Sequence, residues 1–150
     1  MTDQEAPRSK PEPRPPGSTL RIAVLIYAVL NLVSGTSILL WPSLFWGTIG
    51  GADDEALEVI KSVRWGGAIL VAFGIGALMV YARPRGQRTF VTSMALQDAG
   101  VTAALVYSSL ADELVYLDTW FVVALIGVTA ISGLYLWWAR FKARDLLGVT

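Results

Sequence analysis

Four long apolar runs, Ile22 to Trp41, Trp65 to Ala82, Thr89 to Ala111 and Thr119 to Ala139, dominate the sequence. Each holds roughly 18 to 23 residues, and at about 1.5 Å per residue a helix of that length crosses a hydrocarbon core of about 30 Å. Asp98 is the only carboxylate inside any of them. A backbone in lipid must satisfy its own hydrogen bonds, and the alternating pattern of a barrel strand is absent, so the runs read as helices. The expected fold class is all-α, an integral membrane four-helix bundle running up-down-up-down.

The connections alternate in charge. Arg8, Lys10, Arg14 and Arg21 precede the first run, Arg83, Arg85 and Arg88 separate the second from the third, and Arg140, Lys142 and Arg144 follow the fourth. Asp53, Asp54, Glu55 and Glu58, then Asp112, Glu113 and Asp118, fill the other two connections, against only Lys61 and Arg64. Basic flanks stay on the cytoplasmic side, which predicts a multi-pass protein of the cell membrane with both termini inside. The whole chain has 12 basic and 12 acidic residues, so its net charge of zero conceals a strong asymmetry between the two faces. Trp41, Trp46, Trp65, Trp120 and Tyr116 fall at the outer ends of the runs and Tyr81, Trp137 and Trp138 at the inner ends, as expected of interfacial anchors.

The composition excludes much chemistry. The 150 residues include no Cys and no His, which removes disulfides, thiolate nucleophiles, the usual zinc ligand sets and His-ligated haem. No phosphate-binding, dinucleotide-binding, serine-hydrolase or zinc-protease motif occurs. The expectation is a protein that is not an enzyme, takes no cofactor and binds no nucleic acid. Its surroundings are the lipid bilayer and either a membrane-protein partner or further copies of itself.

Residues 1–19 carry Pro7, Pro11, Pro13, Pro15 and Pro16 among charged and small residues, and are expected to form a disordered cytoplasmic tail with polyproline II character. The four-helix domain then occupies about 20–145, with spans near 22–41, 57–82, 89–111 and 117–139. The first run is longer than a signal-peptide core and lacks a small-x-small site, so it reads as a retained span. After Pro42 an apolar stretch with Leu44, Phe45 and Trp46 is expected to lie in the interface, and Asp53 or Asp54 to cap the helix that follows. Arg64 reads as an anchor that snorkels at the outer boundary. Small residues four apart, Ala68, Ala72 and Gly76 in the second run and Ala95, Ala99 and Ala103 in the third, mark expected helix contact faces.

The basic residues also measure depth. Counting from Arg21, Arg88 and Arg140 puts Asn31, Asp98 and Thr129 at about 15, 15 and 16 Å from the cytoplasmic boundary, in one mid-membrane layer. Tyr27, Ser34 and Gly35 share the face of Asn31, Ala95 and Thr102 that of Asp98, and Ser132 and Gly133 that of Thr129. Asn31, Asp98, Thr129, Thr102 and Ser34 are therefore the candidate intramembrane polar site. A carboxylate at the bilayer centre costs at least about 2.5 kcal/mol, so Asp98 is expected to face the bundle interior, paired or protonated. Either it hydrogen-bonds Asn31 or Thr129 and ties the helices together, or it titrates or binds a ligand in a pocket. Gln97 points roughly 100° away and reads as a second polar contact, with another chain as one candidate partner.

Leu32-Val33-Ser34-Gly35 followed by Trp41-Pro42, then Arg64-Trp65-Gly66-Gly67-Ala68 with Gly74, resembles small bacterial four-span proteins of the broad DoxX-like kind over about residues 20–140. The resemblance implies a four-helix inner-membrane protein, sometimes an accessory subunit of a quinone-linked oxidoreductase. Two functions follow as expectations. The first is a non-enzymatic accessory or scaffold subunit of a membrane complex. The alternative is a small carrier or channel-like protein with Asp98 as a mid-membrane proton or solute coupling site.

Overall fold

The computed structural model describes residues 17–61 and 64–148, so most of the proline-rich tail lies outside the described residues. Helix α1 (Ser18–Leu40) is followed by a short π-helical segment (Ser43–Ile49), then by α2 (Asp54–Lys61), α3 (Arg64–Ala82), α4 (Arg88–Leu110) and α5 (Thr119–Lys142). No strand occurs among the described residues. Helices α1, α3, α4 and α5 have 23, 19, 23 and 24 residues and are apolar enough to cross a bilayer. Their outward faces expose Val33, Met79, Leu96, Leu110, Ile131 and Leu134. Apolar surface on that scale needs a lipid solvent, and the protein is a multi-pass integral membrane protein.

The boundaries have local causes. Helix α1 stops at Leu40 because Pro42 disfavours helical backbone at Trp41, whose φ is −130° and ψ 56°. Gly50 N–H then reaches back to the Phe45 carbonyl at 3.1 Å, the i to i−5 spacing of a π turn. Asp53 caps α2, its Oδ1 accepting from Ala56 N–H at 2.8 Å, with Asp54 and Glu55 in the first turn where the helix dipole favours them. Gly51, at φ 76°, lies against Asp118, where a Cβ would come 2.5 Å from the carboxyl carbon. Asp118 N–H donates to the Gly50 carbonyl at 2.8 Å, which pins the π segment to the start of α5.

Packing departs from simple sequence order. Helix α1 meets α3 most closely and also touches α5, and α4 lies along α5, whereas α3 and α4 meet only thinly despite their short connection. Phe90 of α4 stacks on Phe73 and covers Gly76 of α3, so these two helices join near the basic end. The core is consequently divided. Leu20, Val24, Tyr27, Ala77, Val91 and Leu136 fill a cluster at the basic end, which Ala143 and Leu147 extend beyond α5. Ala52, Leu57, Leu117, Phe121 and Val122, with Phe45 and Trp46, form a second cluster at the acidic end.

Two packing expectations change. Ala68 and Ala72 are exposed; the buried small residues of α3 are Gly67, Gly74 and Ala77, which pack toward α1 and the core. On α4, Ala95 is buried while Ala99 and Ala103 are exposed, and the close approach to α5 is at Gly133, whose Cβ would sit 3.0 Å from that of Asp98 and 3.7 Å from Ala95 O and Ala99 N. Of the small residues four apart, Gly76 and Ala95 do meet neighbouring helices, Gly76 under Phe90 of α4, whereas Ala68, Ala72, Ala99 and Ala103 face outward. In α3 the seven-residue step from Gly67 to Gly74 holds the contact with the antiparallel α1, Gly67 against Gly35 and Gly74 against Leu32 and Ala28, because a step of seven stays on one face over two turns.

Candidate functional site

Between the two apolar clusters lies a cavity of about 170 Å³. All four spanning helices line it: Asn31 and Ser34 from α1, Leu70 from α3, Gln97 and Asp98 from α4, and Thr129 and Ser132 from α5, with Phe45 and Trp46 over it from the π segment. It occupies the space left where α3 and α4 part above the Phe73–Phe90 stack.

The polar groups separate into satisfied and unsatisfied sets. The Tyr27 hydroxyl, wholly buried, donates to Gln97 Oε1. Gln97 Nε2 donates to Asn31 Oδ1 at 3.3 Å, and Asn31 Nδ2 donates to the Tyr27 carbonyl at 3.0 Å, closing a ring between α1 and α4. On the α5 side, Thr102 Oγ1 and Thr129 Oγ1 are 2.8 Å apart, and each also reaches a carbonyl four residues back, of Asp98 and Leu125. Such hydroxyl pairs and back-bonds are how polar side chains live in a lipid-embedded helix.

Asp98 belongs to the unsatisfied set. It is 4 % exposed, with Ser132 set against its carboxyl, and its Oδ2 is buried without a hydrogen-bond partner. The expected bond from Asp98 to Asn31 or Thr129 is not formed, because Asn31 is engaged by Gln97 and Thr129 by Thr102. The other buried side-chain polar atom without a partner among the described residues is Trp46 Nε1. Both orphans belong to residues that line the same cavity. Buried polar groups are almost always paired, so two orphans beside one void call for a partner from outside the side chains, a water or a guest. No lining residue is basic, and nothing in the wall neutralises a charge on Asp98.

Sequence reasoning gathered Asn31, Asp98, Thr129, Thr102 and Ser34 by depth; the structure sets Asn31, Ser34, Asp98 and Thr129 around one cavity, with Thr102 bonded to Thr129 behind it. Gln97, read from the sequence as a second polar contact, makes that contact within the chain: it lines the cavity and bridges α1 to α4. Trp46 was expected to be an interfacial anchor like Trp41, Trp65 and Trp120, which are exposed. It packs edge-on to Phe45 at 4.9 Å and to Phe121 at 6.0 Å, over the void. The signal available in the sequence was Pro42 followed by Gly47, Gly50 and Gly51, a chain able to turn back across the bundle end.

A void with one carboxyl oxygen and one indole N–H to satisfy can hold a small guest by two hydrogen bonds and apolar contact. Among the described residues no cluster of three or more His, Cys, Asp or Glu could hold a metal. No family model, curated protein or solved structure matches the chain.

Proposed function

We propose that this protein is a small, non-enzymatic membrane carrier in which Asp98 couples the movement of a solute to that of a proton. The observation that supports it is the Asp98 carboxyl, nearly fully buried, with one oxygen unpartnered beside a cavity lined by all four spans. A carboxyl that served only to tie helices together would be expected to use both oxygens on its neighbours, because an unpaired buried acceptor costs about 1–3 kcal/mol. A carboxyl that exchanges a proton for a guest needs a free oxygen and room beside it. In this reading both termini are cytoplasmic, and the acidic end, with Trp46 and α2, faces outward from the cell membrane.

The test is proton movement in vesicles. The full chain is reconstituted in phosphatidylcholine vesicles holding a pH-sensitive dye and given cationic, neutral and anionic small solutes in turn. Solute-driven proton flux that Asp98→Asn abolishes is expected for at least one class. If no class moves protons in an Asp98-dependent way, the carrier reading fails.

The accessory-subunit reading, which the DoxX-like resemblance suggests, retains one observation of its own. Leu96, Ala99, Ala103, Ala130 and Leu134 line a shallow groove on the lipid side of α4 and α5 that a partner helix could enter. Gentle solubilisation from the native membrane tests it, and isolation of the chain with no companion protein would count against it.

A further inference from the structure

If the cavity is a binding site, as the carrier reading holds, its walls specify the guest. Apolar surface dominates, so the body of the guest is apolar. A cavity of about 150 Å³ holds one benzene ring, so about 170 Å³ admits about one ring, and because the cavity is not closed the substituents on that ring can extend toward its opening. The polar requirements are two. An ionised Asp98 in a wall without basic residues lacks a counter-charge, and its Oδ2 lacks a donor. A protonated amine supplies both at once. Trp46 Nε1 can only donate, so it needs an acceptor, and Trp46 lies on the segment that covers the cavity from the acidic end.

We infer that the cavity binds a small organic cation, an amine on a body of about one ring with a hydrogen-bond acceptor at its other end. The amine meets Asp98 and the acceptor meets the Trp46 indole. Asn31, Gln97, Thr102 and Thr129 do not select the guest by charge, because all four are neutral; their bonds to Tyr27 and to one another hold α1, α4 and α5 around it.

The full chain in phosphatidylcholine nanodiscs is titrated with three probes: 4-methoxyphenethylamine, the neutral 2-(4-methoxyphenyl)ethanol and phenethylamine, which lacks the acceptor. The methoxy amine is expected to bind saturably, about tenfold or more tighter than the alcohol. Asp98→Asn should erase the preference for amine over alcohol. Trp46→Phe should keep that preference and erase the advantage of the methoxy amine over phenethylamine. This crossed pattern distinguishes two contacts from general loosening of the fold. If Asp98→Asn does not fold, the wild-type comparison and Trp46→Phe decide the matter. Equal binding of amine and alcohol, amine binding indifferent to both substitutions, or no saturable binding of the amine overturns the inference. The carrier reading is judged separately, since Asp98-dependent proton flux with a neutral solute would sustain it while the cationic guest fell.

Discussion

Gly35 of α1 and Gly67 of α3 pack backbone against backbone: a Cβ on Gly35 would lie 2.8 Å from the Gly67 carbonyl oxygen, and one on Gly67 would lie 2.7 Å from that of Gly35. The atoms in the way are backbone, which cannot rotate aside as a long side chain would. Gly35→Ala or Gly67→Ala is therefore expected to part the helices and cost about 1–3 kcal/mol. Gly100 and Gly127, which have nothing within 4 Å of an added Cβ, are the controls. Thermal unfolding in mild detergent should show a lowered midpoint for the first pair and none for the second.

The ring of Tyr27, Gln97 and Asn31 predicts a second effect. Tyr27→Phe keeps the buried ring but leaves Gln97 Oε1 without its donor. Stability should fall by about 1–3 kcal/mol, the usual consequence of an unpaired buried acceptor. Gln97→Leu removes that orphan but strands Asn31 Oδ1 in turn, so the double variant should be more stable than the sum of the two single losses gives. If the double variant were less stable than Tyr27→Phe alone by the full cost of Gln97→Leu, the two side chains would not be coupled.

The spans were legible because hydropathy and length in lipid leave few alternatives, and the mid-membrane layer followed from counting at a fixed rise from the arginines. Rotation about each helix axis was harder to read. Ala68 and Ala72 are as small as Gly67 and Gly74, and only the position of α1 decides which pair is buried. The partners of Gln97 were hard to read for a related reason. A long side chain adjacent to Asp98 can still turn into the same cavity, so the 100° step between neighbours does not separate their surroundings. Trp46 was illegible because its burial depends on the π segment being held to α5 by the contact between Gly50 and Asp118, a pairing distant in sequence.

Thr102 and Thr129 offer a clean measurement of what a hydroxyl pair contributes within the bundle. Each hydroxyl also bonds a carbonyl of its own helix, at 2.7 Å for Thr102 and 2.9 Å for Thr129, so either can lose the other without being stranded. A double-mutant cycle with Thr102→Val and Thr129→Val should give a coupling on the order of 0.6 kcal/mol. A coupling above about 2 kcal/mol would mean that the pair is a principal clamp between α4 and α5 rather than one contact among several.

Topology gives the last prediction, and the absence of any cysteine makes the chain suited to it. Arg85 is exposed in the turn between α3 and α4, whereas Glu55 in the first turn of α2 and Val115 before α5 are exposed at the opposite end of the bundle. With basic connections retained inside, single cysteines at Glu55 and Val115 should react with a membrane-impermeant maleimide in intact cells. A cysteine at Arg85 should react only after permeabilisation. The reverse pattern would invert the proposed orientation and place Trp46 and the acidic end of the bundle toward the cytoplasm. Labelling of Arg85 from the same side as Val115 would contradict α4 as a span, because a helix that crosses the bilayer must separate its two ends.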